Sequence, residues 1–261
     1  MLKQRLITAA MLIPLLLGAM FLLPGFWWQL LLLIPVWIAA HEWSRLAAFG
    51  RAGEAALMLV LTAAIGLLMA VATTPESASA RIILGLSVAF WLIVAPCWLW
   101  LKIVVRNRWW LVICAVVVLV PTWLAFAQLQ RTPLLLLLLL AVVWIADTAA
   151  YVFGRTFGRH KLAPAISPGK TWEGVTGALA TVAVYALALN LAQISGRDGG
   201  FLVAAFLSMT VFSVVGDLFE SWMKRSAGVK DSGAILPGHG GLLDRIDGVM
   251  AALPLAALIF I

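Results

Sequence analysis

The residues able to do chemistry crowd into one stretch, Ser221 to Gly248, SWMKRSAGVKDSGAILPGHGGLLDRIDG. It holds Lys224, Arg225, Lys230, Asp231, His239, Asp244, Arg245 and Asp247, in a chain that is only 11% charged. Asp217 and Glu220 precede it at the end of an apolar run, and at helical spacing Asp217, Ser221 and Lys224 line one face. Asp244 and Asp247 are three apart where the next run begins, so they share a face too. Carboxylates converging from two helix ends suit Mg²⁺, a hard cation that binds through one or two carboxylates plus substrate phosphates. Lys224, Arg225, Lys230 and Arg245 supply charge for a triphosphate or a lipid phosphate. Gly233, Gly238, Gly240 and Gly241 let backbone amides approach an anion. A plainer reading makes these groups interfacial ion pairs, Glu220 with Lys224 and Asp244 with Arg245, and leaves Lys224 and Arg225 as membrane anchors. His239, in PGHGG, is open between a surface and a catalytic role.

A second set lies upstream. Asp147 is deep in the apolar VVWIADTAAYVFG, with Tyr151 and Arg155 on its face at i+4 and i+8. A charge there costs about 2.5–3.5 kcal/mol on insertion scales, so it either pairs with an arginine or lines a polar cavity. Ser167-Pro168-Gly169-Lys170-Thr171 is expected to form a tight turn leading into a helix, with Thr171 as N-cap. Lysine and threonine at a helix N-terminus can hold phosphate, and Glu173 can complement the helix dipole. The GxxxxGK[ST] spacing fails, since Pro164 stands where the first glycine would, so this is no P-loop. His41-Glu42 is not HExxH, because position 45 is arginine. His41, Glu42 and Arg45 read as inner-interface residues.

The elements that must position these groups are membrane helices. The chain has 261 residues, is 64% hydrophobic and has a mean hydropathy of +1.07. Its apolar runs are long enough to cross a hydrocarbon core of about 30 Å, and they are continuous rather than alternating, which excludes a β-barrel. The expected fold class is all-α, a polytopic integral membrane protein with nine transmembrane helices. The spans are placed at 6–23, 26–46, 55–73, 82–101, 110–129, 133–153, 173–194, 201–223 and 242–261. Pro24-Gly25 turns the chain between the first two. Pro14, Pro35, Pro96 and Pro121 lie inside spans, where kinks are tolerated. The basic lead and apolar core at the start, without a cleavage site, read as a retained first helix.

Charge then orients the chain. With the N-terminus inside, 15 of the 18 lysines and arginines face inward, leaving Arg81, Arg131 and Arg197 outside. That asymmetry puts the N-terminus in the cytoplasm and the C-terminus outside. Trp27-Trp28 and Trp109-Trp110 fall at span ends, as interfacial tryptophans do. The net charge of +7 reflects anchoring and implies no nucleic acid. Cys97 and Cys114 stand singly in apolar runs, with no spacing for zinc or a disulfide. Residues 1–130, the first five spans, are taken as scaffold and dimerisation region, and 131–261 as the catalytic region.

The pattern Ser221, Lys224-Arg225, Lys230-Asp231, Gly233, Leu236-Pro237, His239-Gly240-Gly241, Asp244-Arg245 and Asp247 resembles, without departure, the signature of the bacterial phosphatidate cytidylyltransferases, or CDP-diglyceride synthetases. The segments around Asp147 and at SPGKTWEG are also similar to that family; the first 100 residues match only in character. The resemblance implies an enzyme that condenses CTP with phosphatidate to CDP-diacylglycerol and pyrophosphate. It implies Mg²⁺, with K⁺ alongside in a two-metal centre, and metal at Asp217 and Asp244. It implies a homodimer in the cytoplasmic membrane, with the active site facing the cytoplasm. Lys224, Arg225, Lys230, Asp231, His239, Arg245 and Asp247 then join the two metal ligands as catalytic residues. Ser221, Gly240, Gly241, Asp147, Ser167, Lys170, Thr171 and Glu173 become substrate-binding. A transporter lined by Asp147, Asp217 and Arg155 is the rival from another class. It is disfavoured because polar residues gather at one face, and because the outer loops 24–25, 74–81 and 195–200 are short and poor in charge. A CDP-alcohol phosphotransferase is disfavoured because its DGxxAR pattern is absent.

Overall fold

In lipid, backbone groups have no water to bond, so apolar segments close their hydrogen bonds internally as helices. The computed structural model describes residues 14–71, 77–105, 107–194, 196–235 and 240–261, and shows this throughout. Helix α1 covers residues 14–22. It is followed by α2 (Gly25–Leu31), α3 (Leu33–Leu46), α4 (Arg51–Val71) and α5 (Ala78–Ala89). After a π-helical turn at Phe90–Val94 come α6 (Ala95–Leu101), α7 (Arg108–Leu129) and α8 (Pro133–Phe157). A hairpin of β1 (Lys161–Ala163) and β2 (Ser167–Thr171) leads into α9 (Trp172–Leu191), α10 (Gly199–Ser226) and α11 (Leu243–Phe260).

Six of these helical stretches are long and apolar enough to cross a membrane: Arg51–Ala70, Ala78–Leu101, Arg108–Leu129, Pro133–Phe157, Trp172–Leu191 and Gly199–Ser226. The remaining expected spans look different. Residues 6–13 of the first lie outside the described residues. The second is broken at Leu32, where α2 ends and α3 begins; Pro35 then sits in the first turn of α3, where its missing N–H is harmless. The ninth is α11, an 18-residue helix with Asp244, Arg245 and Asp247 in its first turns and most of its remaining length buried. Trp28 departs from the interfacial expectation: it is fully buried, and its indole donates to the Phe126 carbonyl of α7 at 3.1 Å. Trp43 makes the same kind of bond to Leu111 at 3.0 Å. The two indoles fix α2 and α3 against α7.

Ser167–Thr171 forms strand β2 rather than a tight turn. The turn lies earlier, over Pro164-Ala165-Ile166, and Lys161 pairs with Thr171 and Ala163 with Ser167 across the antiparallel ladder. Proline at 164 suits a turn, and Pro168 is tolerated because a two-stranded hairpin is all edge. The expectation for Thr171 holds: its hydroxyl accepts from the Gly174 amide at 3.1 Å as the N-cap of α9.

Two packing features aim the end of α10. Ahead of Pro96, whose ring and missing N–H disturb the ladder, the backbone widens into the π-helical turn. The turn delivers Phe90 and Trp91 to the buried Phe219 at ring separations of 5.6 and 5.5 Å, and Trp98 joins at 5.5 Å, all edge-on. Such pairs each contribute about 0.5–1.5 kcal/mol beyond area burial. They lock the turn of α10 that carries Asp217 and Glu220. On the opposite side Gly216 lies against the backbone of Asp247, so α10 and α11 touch where their carboxylates are.

Candidate functional site

A cavity of about 680 Å³ opens at the end of the bundle where α8 and α10 finish and α9 and α11 begin. Its lining includes Asp147, Tyr151 and Arg155 from α8, Lys161, Ser167, Gly169, Lys170 and Thr171 from the hairpin, and Asp217, Asp244 and Asp247 from α10 and α11. Both chemistry-bearing segments of the sequence therefore meet around one space. Arg155, expected to share a face with Asp147, donates to the Tyr151 hydroxyl at 2.8 Å. Asp147 itself makes no hydrogen bond among the described residues and is exposed to the cavity.

Asp217 is engaged from two sides. The Lys170 ammonium, carried to it by β2, forms an ion pair with Oδ2. Ser221 Oγ donates to Oδ1 at 3.3 Å. Four aspartates against the cations of the hairpin make a site rich in both hard oxygen donors and positive charge.

Asp244 is held more tightly. Lys224 Nζ lies 2.6 Å from its Oδ1 and also 2.6 Å from Glu220 Oε2. Oδ2 accepts from the amides of Gly241 at 2.8 Å and Ser232 at 3.1 Å, and lies 3.0 Å from Ser232 Oγ. Charge-assisted bonds of this kind are about twice as strong as neutral ones. The glycine loop thus lays two amides on one of the protein's own carboxylates. Gly240 makes this possible by adopting φ +85°, a conformation that favours glycine.

Behind the loop stands Glu42 of α3, fully buried. The amides of Leu242 and Leu243 donate to its Oε1 and Oε2 at 2.9 and 2.8 Å, and Ser232 Oγ donates to Oε2 at 3.0 Å. Glu42 is thus a support of the loop and not the inner-interface residue expected from its neighbours.

The other expected site residues lie around the cavity rather than in it. Arg225 Nε donates to the Ile166 carbonyl at 3.3 Å, tying α10 to the hairpin turn. Lys230 and Asp231 are exposed on the loop. Arg245 lines a separate, mostly apolar cleft with Leu16, Trp123 and Trp144. Glu173 pairs with His160, whose Nδ1 is 2.6 Å from Oε1, and so clamps the start of the hairpin to α9. His239 lies outside the described residues. Ser221 reaches the cavity through Asp217, and Gly240 and Gly241 through Asp244.

A carboxylate-lined cavity at one end of an apolar bundle, bordered by this motif, can be set against known proteins. Residues 3–261 match the model of the cytidylyltransferase family. This chain belongs to the cytidylyltransferase family. It is 41% identical to the phosphatidate cytidylyltransferase of Pseudomonas aeruginosa, over 98% of this chain and 96% of that one. It is 34% identical to the Haemophilus influenzae enzyme of the same name, over 97% and 96%. A Brucella suis phosphatidate cytidylyltransferase is 52% identical over 124 residues, 47% of this chain and 44% of its own.

Around this cavity, sequence reasoning missed Glu42 and Ser232. Ser232 carries no distinctive signal. Glu42 did carry one: it is an acid two residues beyond the apolar stretch Leu30 to Ala40, and buried acids need donors. Its neighbours His41 and Arg45 drew it to the interface instead. His41 pairs instead with Glu54 at the start of α4, with Nδ1 2.7 Å from Glu54 Oε1.

Proposed function

We propose that the protein transfers CMP from CTP to phosphatidate, giving CDP-diacylglycerol and pyrophosphate, in an Mg²⁺-dependent reaction. The observation that carries this reading is the single cavity in which Asp147, Asp217, Asp244 and Asp247 face Lys161, Lys170 and Arg155. It lies among helices long and apolar enough to cross a membrane. The names of the relatives at high coverage agree with it.

The donor set fits Mg²⁺. No three His, Cys, Asp or Glu side chains cage a metal among the described residues, and Mg²⁺ asks for no such cage, because substrate phosphates and water complete its shell. Asp217 and Asp244 would hold it, each already oriented by hydrogen bonds. Bound there, Mg²⁺ supplies charge stabilisation for phosphoryl transfer and screens repulsion between the two phosphates.

The protein's own groups do the rest. The phosphatidate phosphate has a second ionisation near that of other phosphomonoesters, about pH 6, so it needs little help from a base. What it needs is in-line placement, which preorganised cations lining the cavity provide. Lys170, Lys161 and Arg155 sit where they can pair with the triphosphate, Lys170 by exchanging its contact with Asp217 for one with phosphate. Lys224 stays behind Asp244 and keeps that carboxylate charged and fixed. Ser167, Thr171 and Gly169 line the approach from the hairpin. The acyl chains remain in the bilayer. The same reading carries a homodimer in the cytoplasmic membrane with this cavity toward the cytoplasm, supported by the inward bias of lysine and arginine.

The test is purified protein in detergent with phosphatidate, Mg²⁺ and each of four nucleoside triphosphates, read as pyrophosphate release. Release with CTP that requires phosphatidate is the expected result, and its absence overturns the reading.

A further inference from the structure

Glu42 is an acidic side chain, buried and untouched by the chemistry proposed above. A carboxylate withdrawn from water costs several kcal/mol unless donors meet it, by about 1–3 kcal/mol for each polar group left unsatisfied. Here three donors do, and all three belong to the segment that carries Asp244. Leu242 occupies the N-cap position of α11 and has no side-chain acceptor to offer the helix's free amides. Glu42 performs that service from α3, 200 residues away in the chain, by accepting from Leu242 and Leu243. An anion at a helix N-terminus also complements the helix dipole.

From this cap the contacts run on to the cavity. Ser232 Oγ stands 3.0 Å from Glu42 Oε2 and 3.0 Å from Asp244 Oδ2, so it sits between the two carboxylates and can give its one proton to either. The backbone packs down on Glu42 as well: a methyl group at Gly241 would meet its Oε2 at 2.7 Å. We propose that Glu42 is a positioning residue, which fixes the glycine loop and the first turn of α11 so that Asp244 presents its carboxylate to the cavity. This rests on the reading that Asp244 serves the transfer.

Glu42→Gln separates this from a packing role. The substitution keeps shape and volume but turns one acceptor oxygen into an N–H donor facing an N–H. Hydrogen exchange of amides 241–245 and kcat for CTP are measured on the same detergent-purified preparations. Exchange is expected to rise at 241–245 and not in α7, and kcat to fall about 10- to 100-fold, the range typical for residues that orient site ligands. Ser232→Ala added to Glu42→Gln is expected to lower kcat no further than the worse single variant, because both act along one path. Unchanged exchange overturns the inference whatever the turnover, as do raised exchange with kcat within twofold of native, or losses that multiply. Native protein that releases no pyrophosphate, with exchange still altered by Glu42→Gln, sinks the activity and leaves the cap standing. Should Glu42→Gln fail to fold, Ser232→Ala alone decides: lower kcat at an unchanged thermal midpoint supports the path, and full turnover overturns it.

Discussion

Lys224 and Asp244 meet as an ion pair, Nζ to Oδ1 at 2.6 Å, joining the last turns of α10 to the first turn of α11. The lysine side chain is 13% exposed, the aspartate 10%, and Glu220, the lysine's other partner, 4%. One ammonium therefore serves two largely dehydrated acidic side chains. Removing one partner from such a group leaves charge buried without a counterion, which costs about 3–5 kcal/mol. Lys224→Met is expected to lower the thermal midpoint markedly, measured at a fixed scan rate in detergent, and to abolish CTP-dependent pyrophosphate release. Lys224→Met with Glu220→Gln removes one of the two stranded acidic groups. That double variant should regain part of the midpoint while turnover stays low, because Asp244 still lacks its partner.

Lys170 and Asp217 make the other pair, and it faces the cavity. Here the two groups are expected to separate during the reaction, the lysine going to phosphate and the carboxylate to metal. Asp217→Asn should cost at least about 100-fold in kcat, in line with the loss of a charge-stabilising group in an active site. Its stability should change little, since both side chains keep 24–32% of their surface exposed. Lys170→Met should raise KM for CTP as well as lower kcat. Near-native turnover by Asp217→Asn would remove it from the metal site.

Removal of divalent metal tests the same carboxylates from the other side. Chelation is expected to stop pyrophosphate release in the native protein. Excess Mg²⁺ should restore it fully, and K⁺ alone should not. Asp244→Asn, if it retains measurable turnover, should need several-fold more Mg²⁺ for half-maximal rate than the native protein, because metal affinity follows the charge of the ligands. A native enzyme indifferent to chelation would contradict the metal assignment.

The sequence exposed the helices and the cavity's edges because both leave local marks. A long apolar run is legible residue by residue, and an aspartate inside one, such as Asp147, is conspicuous. Thr171 as N-cap was legible for the same reason, since the cap bond spans three residues. The partners were not. Lys224 meets Asp244 across 20 residues and Lys170 meets Asp217 across 47, and such pairings are set by how helices pack. Hence the sequence reading allowed Asp244 to pair with Arg245, its neighbour in the chain, whereas α11 turns Arg245 toward a different cleft. The glycines misled in a related way. Their amides were read as waiting for a ligand's anion, yet in the fold the Gly241 amide already holds Asp244. Helix bounds were least legible where a helix is interrupted within apolar sequence, as at Leu32, because nothing in hydropathy marks such a break.

The contact between α10 and α11 gives a prediction in which two effects oppose each other. Gly216 sits mid-helix in α10, where glycine costs about 1 kcal/mol relative to alanine by intrinsic propensity. On that ground alone Gly216→Ala would stabilise. In the fold, however, a Cβ at this position runs into the carbonyl oxygen of Asp247 and comes within 2.9 Å of Ala251 Cβ. Neither is the free end of a flexible chain, so the helices themselves must part. Overpacking of a well-filled interface costs about 1–3 kcal/mol, which outweighs the propensity gain. Gly216→Ala is therefore expected to lower the thermal midpoint. It should also lower kcat, because parting α10 from α11 separates Asp217 from Asp244 and Asp247. Gly216→Val should do both more strongly. A stabilised Gly216→Ala with native turnover would mean that the two helices are not held at this spacing, and that the four aspartates do not need it.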